Sequence, residues 1–533
     1  MQTKILNTYS NNNFHTLKKI MVSKQIRRLK GKKQVFSLIE PSGNVKYDYI
    51  HERLLHTMEV ESIASEIINR ICETRFKVEL DASEIVIKLR FSQSLLDSIS
   101  YAHDFGHTPF GHVGETALTD YMRGNNLFLS HHKRVLKKCQ CMPIFKHNFY
   151  SAALLYRNFL GCSEDIIDGV LKHSSISKFN GEKVRSVYDF GSNDYLPKGL
   201  RNNKNYLQRD SAFTLEGQVV AIADEVAQML SDIEDSKVVF QESFVDGGVK
   251  SAVLSAQSAT LKEYLVSLRR FFVNEIVNNS VTIIQSYLNK NYHKGMAHIR
   301  FHTKVIDFGL QSKQVFCELE ELRARFLHGN YVVKMQNATS YLIIYRLFDY
   351  YLGDIKRLFK NDRKSMDYIS ENFCKIRNAS KYKKDKMTCQ TKYESFIEYI
   401  AKDKDKVILS YLNNVIIPNR YILRTIDQGK EKELGILCNY IVKYYLNDYG
   451  KNDVLDILSR SLLREISFSI AKMTDRYAIN LFYKTFGKRF VKHKMSAFVK
   501  MSCKDRIVTK QFELNSHVAK GVVERLIFLK KRQ

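Results

Sequence analysis

Hydrophobic positions along the chain recur mostly at three- and four-residue intervals, the period of a helix that buries one face. A basic amphipathic segment runs from Ile20 to Phe36 and ends at a turn, Pro41-Ser42-Gly43-Asn44. The pattern then predicts helices over Arg53–Arg75, Leu95–Gly106, Phe145–Phe159 and Glu216–Asp235, the last the most clearly amphipathic. Thr108-Pro109-Phe110-Gly111 breaks the helical pattern, with Pro109 placed to open the next helix. A polar stretch from Lys178 to Asp210 is expected to form a long surface loop or a β-hairpin. Beyond Gly248 the pattern stays helical, and the Lys-rich run from Lys360 to Lys406 has the composition of a solvated surface. No internal repeat or low-complexity tract interrupts it.

Composition agrees with helices. Only 5 prolines and 23 glycines occur in 533 residues, with 44% hydrophobic and 26% charged, which argues against a turn-rich β-sandwich and against wholesale disorder. The expected fold class is all-α: a helical core over residues 1–245, a helical C-terminal lobe over 246–533 that completes the pocket and makes oligomer contacts, with room for one small β-hairpin. No stretch approaches the roughly 18 apolar residues of a membrane span. Asn11, Asn12, Asn13, Lys18 and Lys19 leave the amino terminus without a signal-peptide core. The nine cysteines show no zinc-knuckle spacing, Cys139 and Cys141 lacking a second pair. A cytoplasmic protein with reduced thiols and no membrane partner is the expectation.

Charge narrows the partner. Lys and Arg number 84 against 56 Asp and Glu, a net +28, which favours an anionic ligand such as a nucleotide or nucleic acid. Aromatic residues interleave with lysines at Lys443-Tyr444-Tyr445 and Phe482-Tyr483-Lys484. That leaves contact with single-stranded nucleic acid open, although aromatic core positions of a helical lobe explain the same pattern.

The chemistry concentrates in a few positions. His56, the adjacent His103-Asp104, and Asp224 fall in three separate predicted helices. Two imidazoles and two carboxylates suit a divalent ion, Mg²⁺ or Mn²⁺ foremost and Fe²⁺ or Zn²⁺ also admissible, with positions left for water and substrate. His107 follows His103 by four residues, so both are expected on one helical face; His112 and Glu115 follow the Pro109 break. Histidines at this density can protonate a leaving oxygen or hold a phosphate oxygen, and Glu115 can fix the tautomer of one of them.

Arg53-Leu54-Leu55-His56-Thr57-Met58-Glu59-Val60, the run Ala102 to Glu115 (AHDFGHTPFGHVGE) and Asp224 together resemble the HD phosphohydrolase signature in its deoxynucleoside triphosphate triphosphohydrolase form. The run Arg27 to Phe36 is similar to that family's opening motif. Phe145-Lys146-His147-Asn148 resembles its segment bearing a further active-site histidine, and Met473-Thr474-Asp475-Arg476-Tyr477-Ala478 a late motif. The resemblance implies a metal held by His56, His103, Asp104 and Asp224, and hydrolysis of deoxynucleoside triphosphates, dGTP foremost, to deoxynucleoside and inorganic triphosphate. It makes His107, His112, Glu115 and His147 catalytic or α-phosphate contacts. It assigns Arg53 to the phosphates, Gln34 and Asp232 to the sugar side, and Val35 to substrate binding. Gln228 stands where many relatives carry a tyrosine against the sugar, and Glu225 stands where some carry a basic residue, so phosphate binding would lean on Arg53 and on Arg323, Arg325 or Lys334. Relatives commonly form homo-oligomers. Two other readings share some of these features: an HD phosphodiesterase acting on another nucleotide, and a nucleic-acid-binding or effector-sensing protein with a weak HD site.

Overall fold

The computed structural model describes residues 2–34, 50–80, 83–123, 145–159, 161–174, 178–179, 182–183, 210–240, 261–292, 300–353, 463 and 466–486. Their order is α1 (Gln2–Met21), α2 (Lys24–Leu29), α3 (Arg53–Glu73), β1 (Arg75–Leu80), β2 (Ser83–Lys88), α4 (Gln93–Ala102), α5 (Gly111–Arg123), α6 (His147–Asn158), α7 (Glu164–Lys172), β3 (Lys178–Phe179), β4 (Glu182–Lys183), α8 (Leu215–Phe240), α9 (Leu261–Asn291), α10 (Leu310–Leu322), a π-helical turn (Arg323–His328), α11 (Tyr331–Gly353) and α12 (Asp475–Phe486). Among the described residues the fold is helical, with the strands confined to two antiparallel pairs.

The chain forms two compact units. The first draws on residues 1–116, 144–342 and 471–518, the second on 117–143, 343–470 and 519–533. The division expected near residue 245 lies outside the described residues.

In the first unit α3 is the central element. Its buried positions, His56, Val60, Ile63, Ala64, Ile67, Ile68 and Ile71, follow the helical period and pack against α8 and α4. Helix α8 also packs on α7, whose Gly169 lies so close to Ile99 of α4 that a Cβ would come within 2.5 Å of the isoleucine Cδ1. In the second unit the Tyr121 ring stacks on Phe348 at 4.1 Å, and its hydroxyl donates to Asp349 at 2.7 Å.

Three expectations change. Helix α3 stops at Glu73 instead of Arg75, because Arg75–Leu80 pairs with Ser83–Lys88 in a hairpin that sets Phe76 opposite Ile87 and Val78 opposite Ile85. Helix α4 ends at Ala102, four residues before its expected end. The basic segment from Ile20 divides between the end of α1 and α2, where Ser23 caps α2 by accepting from the Ile26 amide at 3.2 Å. Within the polar stretch from Lys178 only the short β3–β4 pair is described. The Lys360–Lys406 run and Lys443-Tyr444-Tyr445 lie outside the described residues. Among the described residues no helix is long and apolar enough to cross a membrane.

A charged tie fastens the start of α3 to α8. The Nδ1–H of His51 donates to Asp235 Oδ1 at 2.7 Å, and its Nε2 lies 3.5 Å from Glu59 and 3.6 Å from Glu234. Burial opposes protonation, but the hydrogen bonds to Asp235 and Glu59 outweigh it and push the imidazole up to about 10. A raised folded-state value stabilises the fold fully below the unfolded imidazole's ordinary range, and the contribution is lost as pH rises through the folded value. The unfolding free energy from urea titrations should therefore fall between about pH 6.5 and 10, by at most about 1.4 kcal/mol per pH unit from this proton. His51→Gln should flatten that dependence and lower stability near neutrality.

Candidate active site

Between α4 and α5 the chain makes two tight turns that hold most of the ionisable groups. The amide of His103 still bonds to Ile99 O at 2.9 Å, but Phe105 N reaches Ala102 O at 3.2 Å and His107 N reaches Asp104 O at 3.0 Å. His103 and His107 thus stand on successive turns and not on one helical face. Helix α6 locks this bend: the Ser151 hydroxyl donates to His103 O at 2.7 Å and accepts from Gly106 N at 2.8 Å. A Cβ on Gly106 would lie 2.4 Å from His147 O and 2.5 Å from Ser151 N. Only glycine lets the bend approach α6 so closely.

Four residues farther on, Phe110 and Gly111 take positive φ values of 63° and 62°. The Phe110 amide donates to Asp475 Oδ1 at 3.0 Å, and the other oxygen of Asp475 accepts from Lys33 N at 3.1 Å. Asp475 N in turn donates to Gly31 O at 3.0 Å. The late motif and the opening motif therefore meet beside the turns, α5 beginning at Gly111, two residues after Pro109. Lys32 is buried here and donates to the carbonyls of His107 and Ala471. Burial pulls its ammonium down to about 7.

One cluster comprises His56 of α3, His103 and Asp224 of α8. His56 Nε2 and Asp224 Oδ1 are 2.8 Å apart, and His103 Nε2 lies 3.6 Å from Asp224 Oδ1 and 3.7 Å from Asp104 Oδ2. The His103 Nδ1–H donates to Ser100 O at 2.7 Å, which leaves Nε2 with its lone pair; that atom is buried and makes no hydrogen bond. An imidazole fixed in this tautomer beside two carboxylates has the donor set a divalent ion needs. The residues fit the ion expected from the sequence.

Asp104 is buried. Its Oδ2 accepts from Arg53 Nη1 at 2.5 Å, while Oδ1 lies 3.8 Å from His147 Nε2 and 3.9 Å from His107 Nε2. Burial opposes its ionisation, but Arg53 first, then His103, His107 and His147, hold the carboxyl well below the usual range.

A second cluster comprises His107, His112, Glu115 and His147. Glu115 Oε2 accepts from His112 Nδ1 at 2.8 Å, and Oε1 accepts from both the backbone N and Nδ1 of His147, at 2.6 and 2.7 Å. These partners keep the Glu115 carboxyl well below its ordinary value although burial opposes them. His107 stacks on His147 at 4.1 Å, and burial together with Arg53 and His147 holds it well below the ordinary imidazole value. His112 differs from the others in being 57% exposed. The sequence anticipates one histidine oriented by Glu115; the structure shows two.

The residues expected on the substrate side are less concentrated. Arg53 Nη2 donates to the carbonyl of Gln34 at 3.3 Å, and the Gln34 side-chain oxygen is buried without a hydrogen bond. Asp224, Gln228 and Asp232 repeat every four residues along α8 and so share one face over about 12 Å. Burial raises Asp232 to about 6, opposed by Arg323, whose Nη1 donates to it at 2.9 Å. Arg323 also donates to Glu320 at 2.7 Å, so its guanidinium is held between two carboxylates. Val35 and the Arg325 side chain lie outside the described residues.

One site residue escaped the sequence reading. His173 ends α7 and is buried, with its ring 4.9 Å from that of His103 and its Nε2 3.0 Å from His147 Nε2. The amphipathic run from Glu164, capped by Ser163, was the available signal, since it carries a histidine to the end of a helix facing the core.

Gly106→Ala should push the His103–His107 bend off α6, lowering stability by about 1–3 kcal/mol. Chemical denaturation measures that loss, and an unchanged midpoint would refute the close approach.

No family model matches the chain. Curated relatives do. A deoxyguanosinetriphosphate triphosphohydrolase-like protein of Rickettsia canadensis (strain McKiel) is 26% identical over 393 residues, 71% of this chain and 91% of the relative. Proteins of the same description from Rickettsia typhi and Rickettsia prowazekii are 25% and 24% identical, over 71% and 78% of this chain and 89% and 94% of their own length. Similarity over this span, together with the motifs that gather around Asp104, makes the chain a distant relative of the deoxyguanosinetriphosphate triphosphohydrolase-like proteins.

Proposed function

We propose that the protein hydrolyses deoxynucleoside triphosphates, dGTP foremost, to the deoxynucleoside and inorganic triphosphate, using a divalent ion held by His56, His103, Asp104 and Asp224. The observation that carries this reading is His103, whose tautomer is fixed by Ser100 so that a buried lone pair faces the carboxylates of Asp104 and Asp224. The relatives' names supply the substrate class, and the net charge of +28 suits a polyanion. An ion there would polarise a phosphate oxygen and favour attack by water.

The chain's own residues supply the rest. Water adds to the α-phosphorus and gives up a proton, the bond from phosphorus to the 5′ oxygen breaks, and the departing oxygen takes up a proton. His112 is suited to deliver it: exposed toward solvent, it is held through Nδ1 by anionic Glu115, so that its Nε2 is the end available to substrate. Glu115 holds His147 by the same means, and His107 stacks on it as a neutral donor to a phosphate oxygen. Arg53 offsets charge at Asp104 and brings a guanidinium beside the phosphates. Gln34, Gln228 and Asp232 would face the sugar, with a glutamine amide in place of an aromatic ring. Positioning and charge compensation account for most of the catalysis expected of such a site.

Product analysis tests this directly. Each deoxynucleoside triphosphate, incubated with the Mn²⁺- or Mg²⁺-loaded protein, should yield triphosphate; the double variant His103→Ala, Asp104→Ala should yield none, and His112→Asn should lower kcat by about 10²–10⁴. Absence of triphosphate from all of them, or release of pyrophosphate instead, would reject the reading.

A further inference from the structure

The histidine-rich bend leaves two backbone groups, His107 O and Phe110 N, without the partner each would find in a regular turn. A turn from His107 to Phe110 would close with the Phe110 amide donating to the His107 carbonyl, and a helix with the Gly111 amide doing so. Neither bond forms. Pro109 has no amide hydrogen, Phe110 N donates to Asp475 Oδ1 at 3.0 Å, and Gly111 N donates to Thr108 O at 3.3 Å. The His107 carbonyl accepts instead from the Lys32 ammonium, which also donates to Ala471 O at 2.8 Å. Two charged side chains thus replace the bond missing from the bend, a cation for the carbonyl and an anion for the amide.

Lys32 also holds a second element. Its carbonyl accepts from Arg53 N at 2.9 Å, at the first residue of α3. The main chain of Lys32 therefore fixes Arg53 while its side chain fixes His107, the two groups that would meet the phosphates. The backbone that bears the ammonium is itself held on both sides: Gly31 O accepts from Asp475 N at 3.0 Å, and Lys33 N donates to Asp475 Oδ2 at 3.1 Å. Lys32 is 1% exposed, a costly place for a cation. Asp475 supports its charge against that burial and against Arg53 and Arg28 nearby. A hydroxyl could satisfy one carbonyl without that cost, whereas an ammonium spans two and balances the carboxylate on the other side of the bend.

We propose that Lys32 is a positioning residue for the hydrolysis, its ammonium holding the His107 peptide in register with the start of α3 so that the His107 ring and the Arg53 guanidinium meet the same triphosphate. This rests on the reading of the substrate as a deoxynucleoside triphosphate. Lys32 touches no substrate and acts through His107. Its loss lets the bend relax and misplaces a donor by a fraction of an ångström, which weakens contacts of the transition state more than those of the bound nucleotide. The cost therefore falls on kcat and leaves KM nearly unchanged.

The test uses the full chain loaded with Mn²⁺. Lys32→Ala keeps the backbone bond to Arg53, removes the ammonium and leaves a space the size of n-propylamine. Its kcat for triphosphate release should drop by about 10–10² with little change in KM. Added n-propylamine should restore kcat, and 1-propanol, of the same size without the charge, should not. Hydrogen exchange of peptides spanning residues 104–111, read by mass spectrometry, should quicken in Lys32→Ala and slow again with the amine alone. If Lys32→Ala does not fold, Lys32→Arg should keep most of kcat and Lys32→Met should lose it; equal losses in the two would overturn the proposal. Wild-type kcat in Lys32→Ala, a loss confined to KM, equal rescue by 1-propanol, or unchanged exchange would overturn it as well. Should the wild type release no triphosphate, the proposed function falls, and the exchange measurement still decides: quickened exchange reversed by n-propylamine supports Lys32 as the tie that holds the bend, and unchanged exchange removes that role too.

Discussion

A carboxylate kept away from water is costly unless cations or donors surround it, and Asp104 is such a carboxylate. Arg53 reaches it from the first turn of α3, His103 precedes it in the chain, and His107 and His147 approach its other oxygen. Each neighbour is fixed by something farther out: His103 by Ser100, His147 by Glu115, Arg53 by the Gln34 carbonyl. The helical bundle can be understood as the frame that delivers these groups to one buried anion.

The same logic explains why the fold departs from helical regularity here. A continuous helix through His103 and His107 would point both rings along one face and leave Asp104 on another. Ending α4 at Ala102 and bending the chain under Ser151 lets all three converge. Positive φ at Phe110 and Gly111 then turns the chain so that α5 brings His112 and Glu115 back to the same place.

Much of this was legible in the sequence. The helical periods of α3, α4, α6 and α8 located His56, His103, His147 and Asp224, and the density of histidines marked the turns between α4 and α5. Other parts were not. The β1–β2 hairpin alternates Phe76, Val78 and Leu80 against Ile85 and Ile87, a two-residue period hidden by the long helical run before it. His173 is a single histidine at the end of an amphipathic helix, and its partners lie in other elements, so the helix pattern carries it toward the core without naming what it meets. The fates of Arg323 and Gln34 depend on long-range neighbours, and a sequence displays those only after folding. The extent of α4 was overestimated because its apolar period continues past Ala102, where the Ser151 hydroxyl takes over the hydrogen bonds.

Asp475 joins two segments that the chain makes far apart in time. Its carboxylate binds the amides of Lys33 and Phe110, the first of them 442 positions earlier. At about 5–20 residues per second, synthesis needs roughly 20–90 s to travel that distance. For the last 365 positions of that interval the histidine-rich turns exist without the group that ties them to the opening motif. A nascent chain is therefore born unfinished at its most reactive point, and a ribosome-bound or prematurely terminated fragment ending between residues 115 and 475 carries the histidines without their anchor.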